Sequence, residues 1–468
     1  MRRMPNERQR LLALTILAGG LCGLAACAFH LSVAAVEGLL IERAGAGAAN
    51  PSNHIWIVWT ILCPALGGLV CGLGLYYLVP AAAGSGIPQV KVAFVRRSGF
   101  VAVRDTIGKF VLCTMQIGSG GSFGVEGPTV HICAGVSNFL ARAARLNPES
   151  QRRMASVGMS AGIAAAFNAP IAAVTFTLEE LIGDLDQTML SGVIVAAALA
   201  AVVEHMVMGA NPIFHVPRAF ELDNASSLVW YALLGLLAAF VSVAFTDSLL
   251  GLRAWFNRLN SVPKWLHPAL GGAATGAMAA TALLFFHLGG IAGDPYKTLT
   301  MSFSGTIPVL AMVVLCVLKL GATVTSYSSG GAGGIFAPSL FMGGMLGGAV
   351  GYLDVAVFHH PTDSIGAFAV VGMGAVFAGV VRAPMTSILI IFEMTGGYGL
   401  VLPLMIANMS AFALARHWRK TAVYDALLEQ DGIFLHEPPE PVPADDSDPD
   451  IDETPLFTDA KDRGTFVD

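Results

Sequence analysis

The sequence predicts an all-α polytopic membrane protein, and three features of its composition lead to this fold class. Of the 468 residues, 55% are hydrophobic and only 12% are charged, with a mean hydropathy of +0.67. A soluble domain carries about 25% charged residues, so this chain has too little charge to cover a water-facing surface. Its 53 glycines suit closely packed and interrupted helices in a bilayer. The composition therefore excludes a soluble enzyme, a disordered protein and a nucleic-acid binder.

Ten stretches contain no Asp, Glu, Lys or Arg and are long enough for a helix, since about 20 residues cross the hydrocarbon core of a bilayer. Two of them do not suit one straight helix, because residues 44–90 are too many and residues 320–353 are rich in glycine with Pro338 inside. We expect short, tilted or broken helices there, which a bilayer tolerates where they line a cavity. The ten stretches are 11–36, 44–90, 154–178, 187–203, 224–246, 265–293, 298–318, 320–353, 364–381 and 394–415.

The charges are unevenly distributed along the chain. Residues 437–468 hold 11 acidic and 2 basic residues with six prolines, which predicts an acidic disordered tail. Basic residues cluster in residues 1–10, in residues 91–104 and after the last apolar stretch. By the positive-inside rule, both termini are predicted to be cytoplasmic. The alternative for the N-terminus is a lipoprotein signal ending at Cys27, although the apolar run continues to Val36, which suits a retained helix better.

The seven cysteines lie in apolar or small-residue stretches without a Cys-x-x-Cys pair, and the histidines form no metal-binding motif. We interpret the cysteines as packing residues and predict neither a metal site nor a cofactor.

The chain repeats itself at an offset of 210 residues. Residues 119–128 and 329–338 are identical at five of ten positions, and a lysine precedes each final proline by 19 residues. Each half also carries an Ala-Pro pair followed nine residues after the proline by an acid, Glu179 or Glu393. These anchors predict two membrane repeats, residues 11–215 and 220–435. Duplicated halves with broken helices are typical of transporters, often with inverted topology.

Three glycine-proline segments, 84–88, 124–128 and 334–338, predict helix starts. A helix N-terminus presents free amides and a positive dipole, so three converging starts predict a site for a small anion. Partial charges hold an anion loosely enough for release. The alternative interpretation is that these segments are tight helix-packing turns.

Glu126 is an ionisable residue in an apolar segment, at one of these helix starts. Its carboxylate is expected to compete with an anion for the same place and to leave on protonation. Glu179 is interpreted as a structural acid because its repeat mate Glu393 shares its position.

These motifs resemble the CLC family of chloride channels and proton-coupled chloride transporters. They are Gly-Ser-Gly-Ile-Pro at 84–88, Gly-Val-Glu-Gly-Pro at 124–128, Gly-Gly-Ile-Phe-Ala-Pro at 333–338, and Ala-Ala-Phe-Asn-Ala-Pro at 165–170 with its trailing Glu-Glu. The resemblance covers about residues 10–430 and implies two inverted repeats, and a homodimer with one pore in each subunit. It also implies a bacterial inner-membrane location for this prokaryote-like form, which lacks cytoplasmic regulatory domains.

The resemblance implies roles for individual residues. The central anion is expected to contact the Ser85 hydroxyl, the Tyr424 hydroxyl and the backbone amides of Ile335 and Phe336. Glu126 is implied to be the gating glutamate and Glu180 the intracellular proton-transfer acid. The position before the gating glutamate is commonly arginine in this family but is valine here. The remaining residues expected around the anion are Gly84, Gly124, Val125 and Gly127.

The predicted function is therefore exchange of chloride for protons, with a chloride channel of the same fold as the alternative. A third hypothesis, an intramembrane hydrolase, depends on Gly158-Met-Ser-Ala-Gly162, which fits the Gly-x-Ser-x-Gly pattern of a nucleophilic serine.

Overall fold

The computed structural model describes residues 7–48, 55–182, 187–209, 214, 226–361 and 364–435. These residues form helices joined by turns, and the only extended pairing among them is two isolated bridges, Gly84 with Ala332 and Gly124 with Gly334. The predicted all-α fold class is therefore confirmed. The predicted acidic tail, and most of the predicted junction between the two repeats, lie outside the described residues.

Seventeen α-helices are present in the part of the chain that the structure describes. In the first half they are α1 Glu7–Ala48, α2 Ile55–Leu73, α3 Ile87–Arg96, α4 Val103–Gly118, α5 Glu126–Ala143, α6 Pro148–Phe167, α7 Pro170–Phe176 and α8 Gln187–Met208. In the second half they are α9 Ser227–Arg258, α10 His267–Phe286, α11 Tyr296–Ser302, α12 Val309–Ser328, α13 Phe336–Phe358, α14 Ser364–Val381, α15 Pro384–Thr395, α16 Val401–Trp418 and α17 Val423–Gln430.

Eight of these described helices are long and apolar enough to cross a membrane. The two stretches that the sequence predicted to be interrupted are interrupted. Residues 44–90 contain the end of α1, all of α2, a π-helical turn at Gly74–Leu78, a 3-10 turn at Pro80–Ala82 and the start of α3. Residues 320–353 break between α12 and α13. The chain is therefore a membrane protein with broken helices, and all seven cysteines are buried free thiols within it.

The packing of the first half is repeated in the second. The contacts of α5 with α6, α1 with α8 and α6 with α8 recur between the corresponding helices of the second half, which are α13 with α14, α9 with α16 and α14 with α16. Glycines allow the two halves to approach each other where α2 crosses α10. A Cβ on Gly68 would lie 2.2 Å from the Pro268 carbonyl oxygen, and one on Gly272 would lie 2.1 Å from that of Pro64.

The acids that follow the Ala-Pro pairs cap each other's helices. Glu393, near the end of α15, accepts hydrogen bonds from the amides of Ile171 and Ala172 at 3.0 and 2.7 Å. Glu179, just beyond α7, accepts from the amides of Met385 and Thr386 at 3.1 and 2.8 Å. The start of each helix thus meets the end of its repeat mate, so these two helices run antiparallel. The structural role predicted for Glu179 is confirmed.

Replacing Glu393 with Ala is expected to destabilise the fold by about 1–3 kcal/mol, because the amides that start α7 lose their acceptors. Thermal unfolding of the purified protein in detergent measures the change, and Glu393→Gln, which keeps one acceptor oxygen, should restore part of it. The control is Glu149→Ala, which removes an exposed acid paired with Arg153. Equal melting temperatures for Glu393→Ala and Glu149→Ala would contradict the role of the cap.

Candidate functional site

The three predicted helix starts meet at one place, where backbone hydrogen bonds join them. The amides of Gly124 and Gly334 each donate to the other's carbonyl at 2.8 Å. The Gly84 amide donates to the Gly331 carbonyl at 2.9 Å, and the Gly333 amide donates to the Gly84 carbonyl at 3.1 Å. Helices α3, α5 and α13 begin two to three residues after these bonds. Their positive ends therefore face one small buried region.

These same bonds correct part of the predicted site. The amides of Gly84 and Gly124 are already donated to carbonyl oxygens, so these glycines join the loops instead of offering their amides to an anion. Gly127 packs against Ser85, where an added Cβ would lie 2.7 Å from the Ser85 carbonyl oxygen. Val125 is half-buried, and its carbonyl accepts from the Thr129 amide at 3.0 Å.

The amides of Ile335 and Phe336 are placed differently from those of the glycines. Ile335 precedes the first residue of α13 and Phe336 is that residue, and both are fully buried. Amides at the first turn of a helix have no carbonyl partner within the helix. These two amides can therefore serve an anion.

Ser85 is fully buried at the start of α3. Its Oγ accepts from the Ile87 amide at 3.3 Å, so its own hydroxyl proton stays available for another acceptor. The following residue must be glycine: Gly86 has φ +100°, and an added Cβ would lie 2.7 Å from Cβ of His131. The loop thus fixes the Ser85 hydroxyl beside the helix starts.

Tyr424 lies on α17, which packs against α3. Its side chain is fully buried, and its hydroxyl has no hydrogen-bond partner among the described residues. Its ring centroid is 6.3 Å from that of Phe336, at the start of α13. A buried hydroxyl without a partner is costly, so this one marks a place where a ligand or a water is expected.

The Glu126 carboxylate, also fully buried, reaches across from α5 to the start of α13. Its Oε2 accepts from the Ala337 amide at 3.4 Å, and its Oε1 accepts from the Tyr296 hydroxyl at 2.5 Å. The negative charge therefore lies at the positive end of a helix. In this conformation the carboxylate occupies the start of α13.

Two buried lysines support the loops around this region. Lys109 donates to the carbonyl oxygens of Ala82 and Gly84 at 2.8 and 2.7 Å. Its repeat mate Lys319 donates to those of Gly290 and Ile291 at 2.7 and 3.2 Å. Both ammonium groups are thus held by backbone oxygens, which leaves the helix starts and hydroxyls to face the buried region.

Sequence reasoning missed two tyrosines of this region. Tyr296 begins α11 and binds Glu126, and the Tyr327 hydroxyl accepts from the Ser85 amide at 3.4 Å. Neither lies within the glycine-proline motifs, and neither is matched by a tyrosine at the 210-residue offset. Only folding brings them to the site.

Glu180 belongs to a separate cluster. It follows α7 in a π-helical turn, and its Oε1 accepts from Lys91 Nζ at 2.9 Å. The same Nζ lies 2.6 Å from Asp425 Oδ1, next to Tyr424 in the chain. Sequence reasoning identified the acid but not the lysine.

Ser160 is not placed as the hydrolase hypothesis requires. The nucleophilic serine of that motif needs a sharp turn between a strand and a helix. Ser160 lies inside α6, fully buried, and its Oγ donates to the Val193 carbonyl of α8 at 3.4 Å. The small residues around it serve helix packing.

The chain is similar to known proteins over nearly its whole length. A family model described as voltage gated chloride channel matches residues 67–416. The H(+)/Cl(-) exchange transporter ClcA of Salmonella paratyphi A is 30% identical over 440 residues, covering 92% of this chain and 90% of the relative.

Solved structures share the fold. The crystal structure of a slow cyanobacterial Cl-/H+ antiporter has a TM-score of 0.82 and 26% identity, with 90% of this chain and 98% of that chain covered. A eukaryotic CLC transporter has a TM-score of 0.73 and 21% identity over 90% of this chain and 74% of that one. The family match covers most of the chain and agrees with the motifs and the fold, so this protein belongs to the voltage gated chloride channel family, the CLC family.

Proposed function

We propose that this protein is a secondary active transporter that exchanges chloride for protons. The main support for this proposal is the position of the Glu126 carboxylate. It is fully buried and sits at the start of α13, where a transported anion would be held. One group that competes with the anion and also binds a proton links the two fluxes.

The proposed anion site uses partial charges only. Its donors are the hydroxyls of Ser85 and Tyr424 and the amides of Ile335 and Phe336. An anion that loses its water needs donors already in place, and amides at a helix start supply them. Because no cationic side chain is among these donors, the anion is held weakly enough to leave.

The proposed proton steps use Glu126 and Glu180. When Glu126 takes a proton, its carboxyl loses the attraction of the α13 dipole and leaves its place beside the Ala337 amide, where chloride then binds. When it releases the proton on the outer side, the carboxylate returns and displaces chloride. Glu180 is the proposed entry point for protons from the cytoplasm.

The similar proteins support exchange over passive flow. The Salmonella relative is named as an H(+)/Cl(-) exchange transporter, and the cyanobacterial structure is titled a Cl-/H+ antiporter. The family resemblance adds that channels of this fold usually lack an acid at the position of Glu180. The channel alternative makes Glu126 only a gate.

The proposal also covers the membrane location, the orientation and the oligomeric state of the protein. We assign the protein to the bacterial inner membrane from its family resemblance. From the distribution of basic residues, we assign both termini, and with them the tail 437–468, to the cytoplasm. We also propose a homodimer in the lipid bilayer. The family resemblance implies the homodimer. Large apolar side chains are exposed on many helices, as a lipid-facing surface requires, among them Met206, Ile171 and Met385.

Replacing Glu126 with Gln is expected to abolish chloride-driven proton movement while chloride flux persists. The amide has the shape of the protonated acid but cannot carry a proton. Paired chloride and proton fluxes from liposomes measure both, with the exposed Glu149→Gln as the control. Wild-type proton coupling in Glu126→Gln would contradict the exchange mechanism. A wild-type reversal potential that ignores a pH gradient would support the channel instead.

Replacing Tyr296 with Phe is expected to release the gating carboxylate. A hydrogen bond to a charged group contributes about 1.5–3 kcal/mol, so its loss shifts the ratio of closed to open carboxylate by about tenfold or more. Chloride turnover in liposomes should rise and fewer protons should move per chloride.

Tyr352→Phe is the matched control, because its hydroxyl donates to the carbonyls of Gly305 and Ile307. Chloride turnover and proton coupling equal to wild type in Tyr296→Phe would show that this bond does not hold the gate.

A further inference from the structure

Lys91 holds two acids at once, in a cluster that the anion site does not use. Its Nζ lies 2.9 Å from Glu180 Oε1 and 2.6 Å from Asp425 Oδ1. The side chains of Lys91 and Glu180 are 11% and 7% exposed, whereas that of Asp425 is 39% exposed. The three residues form what we call the lysine triad, with a buried acid on one side and a more exposed acid on the other.

The charges of the lysine triad do not balance. One ammonium group faces two carboxylates, so the fully ionised triad has a net charge of −1. Burial makes an uncompensated charge costly. One bound proton makes the triad neutral, and the cation decides how readily Glu180 accepts it, because a nearby positive charge favours the carboxylate.

The lysine triad also joins the elements that carry the anion site. Lys91 lies on α3, six residues after Ser85. Asp425 follows Tyr424 directly on α17. The two hydroxyls proposed to bind chloride therefore lie at the start of α3, on Ser85, and on α17, on Tyr424. The Lys91 ammonium group links both helices to Glu180.

We propose that Lys91 is a positioning residue for proton transfer, which sets the protonation of Glu180 and holds α3, α17 and Glu180 together. This proposal rests on the proposed exchange function. It assigns Asp425 as the acid that competes with Glu180 for the cation. Among the described residues, two other titratable groups interact with Glu180 or face it: Glu179, whose carboxylate caps α15, and the buried hydroxyl of Tyr424.

The experiment compares Lys91→Met, Lys91→Arg and Asp425→Asn in liposomes, with chloride and proton fluxes measured together over a range of pH. Without the cation, Glu180 keeps its proton to higher pH. We therefore expect the pH midpoint of proton transport to rise by about one unit or more in Lys91→Met. Lys91→Arg should restore the wild-type midpoint because it keeps the charge.

Asp425→Asn is expected to shift the pH midpoint of proton transport in the opposite direction. With its competitor removed, Lys91 serves Glu180 alone, and the pH midpoint should fall. A purely structural role for Lys91 would lower both fluxes together and would not give shifts of opposite sign. If Lys91→Met does not fold, Asp425→Asn and Lys91→Arg still test the proposal.

The matched control is Arg153→Met, which removes a cation from the ion pair with Glu149 on α6. It should leave the pH midpoint unchanged. An unchanged midpoint in both Lys91→Met and Asp425→Asn would overturn the proposal. Glu180→Gln distinguishes failure of the proton role of Glu180 from failure of the positioning role of Lys91. If Glu180→Gln keeps wild-type proton coupling, the proposed proton role of Glu180 is wrong. If Glu180→Gln loses coupling but the pH midpoints of Lys91→Met and Asp425→Asn are unchanged, only the role of Lys91 is overturned.

Discussion

The structure depends on the reciprocal bonds between the amides and carbonyls of Gly124 and Gly334. They join the two halves of the chain at the point where α5 and α13 begin, and so bring two positive helix ends to the same buried place. Side chains at these positions would prevent the approach, since an added Cβ on Gly334 would lie 2.8 Å from the Gly124 carbonyl oxygen. The proposed anion site therefore depends on how closely the two repeats pack.

In the proposed mechanism, the charge balance at this junction lets one acid, Glu126, serve both the chloride flux and the proton flux. A chloride ion and the Glu126 carboxylate have the same sign, so they exclude each other from the place beside the Ala337 amide at the start of α13. The Tyr296 hydroxyl favours the carboxylate, while the Tyr424 hydroxyl, which has no partner in the described part of the chain, is proposed to bind the anion. A proton on Glu126 changes which of the two is favoured, and burial makes that change large.

The sequence predicted the features that depend on neighbouring residues, namely the helix starts and the helix caps. Pro88, Pro128 and Pro338 each lie in the first turn of a helix, and the paired Glu179 and Glu393 cap the helices whose repeat relation they revealed. It did not predict the contacts between segments that lie far apart in the chain. The carbonyl partners of the Gly84 and Gly124 amides lie more than 200 residues away in the chain. The local motif therefore does not show that these amides join loops. Tyr296 and Lys91 were missed because a single tyrosine or lysine carries no pattern until folding places it beside an acid.

The most direct test of the account is the position of bromide in crystals of wild-type protein and Glu126→Gln, located by anomalous scattering. The account predicts a bromide peak between Ser85, Tyr424 and the Ile335 and Phe336 amides in both. It predicts a second peak beside the Ala337 amide only in Glu126→Gln, where the neutral side chain has left the start of α13. Crystals of Glu126→Gln with no bromide at any of these helix starts would contradict it.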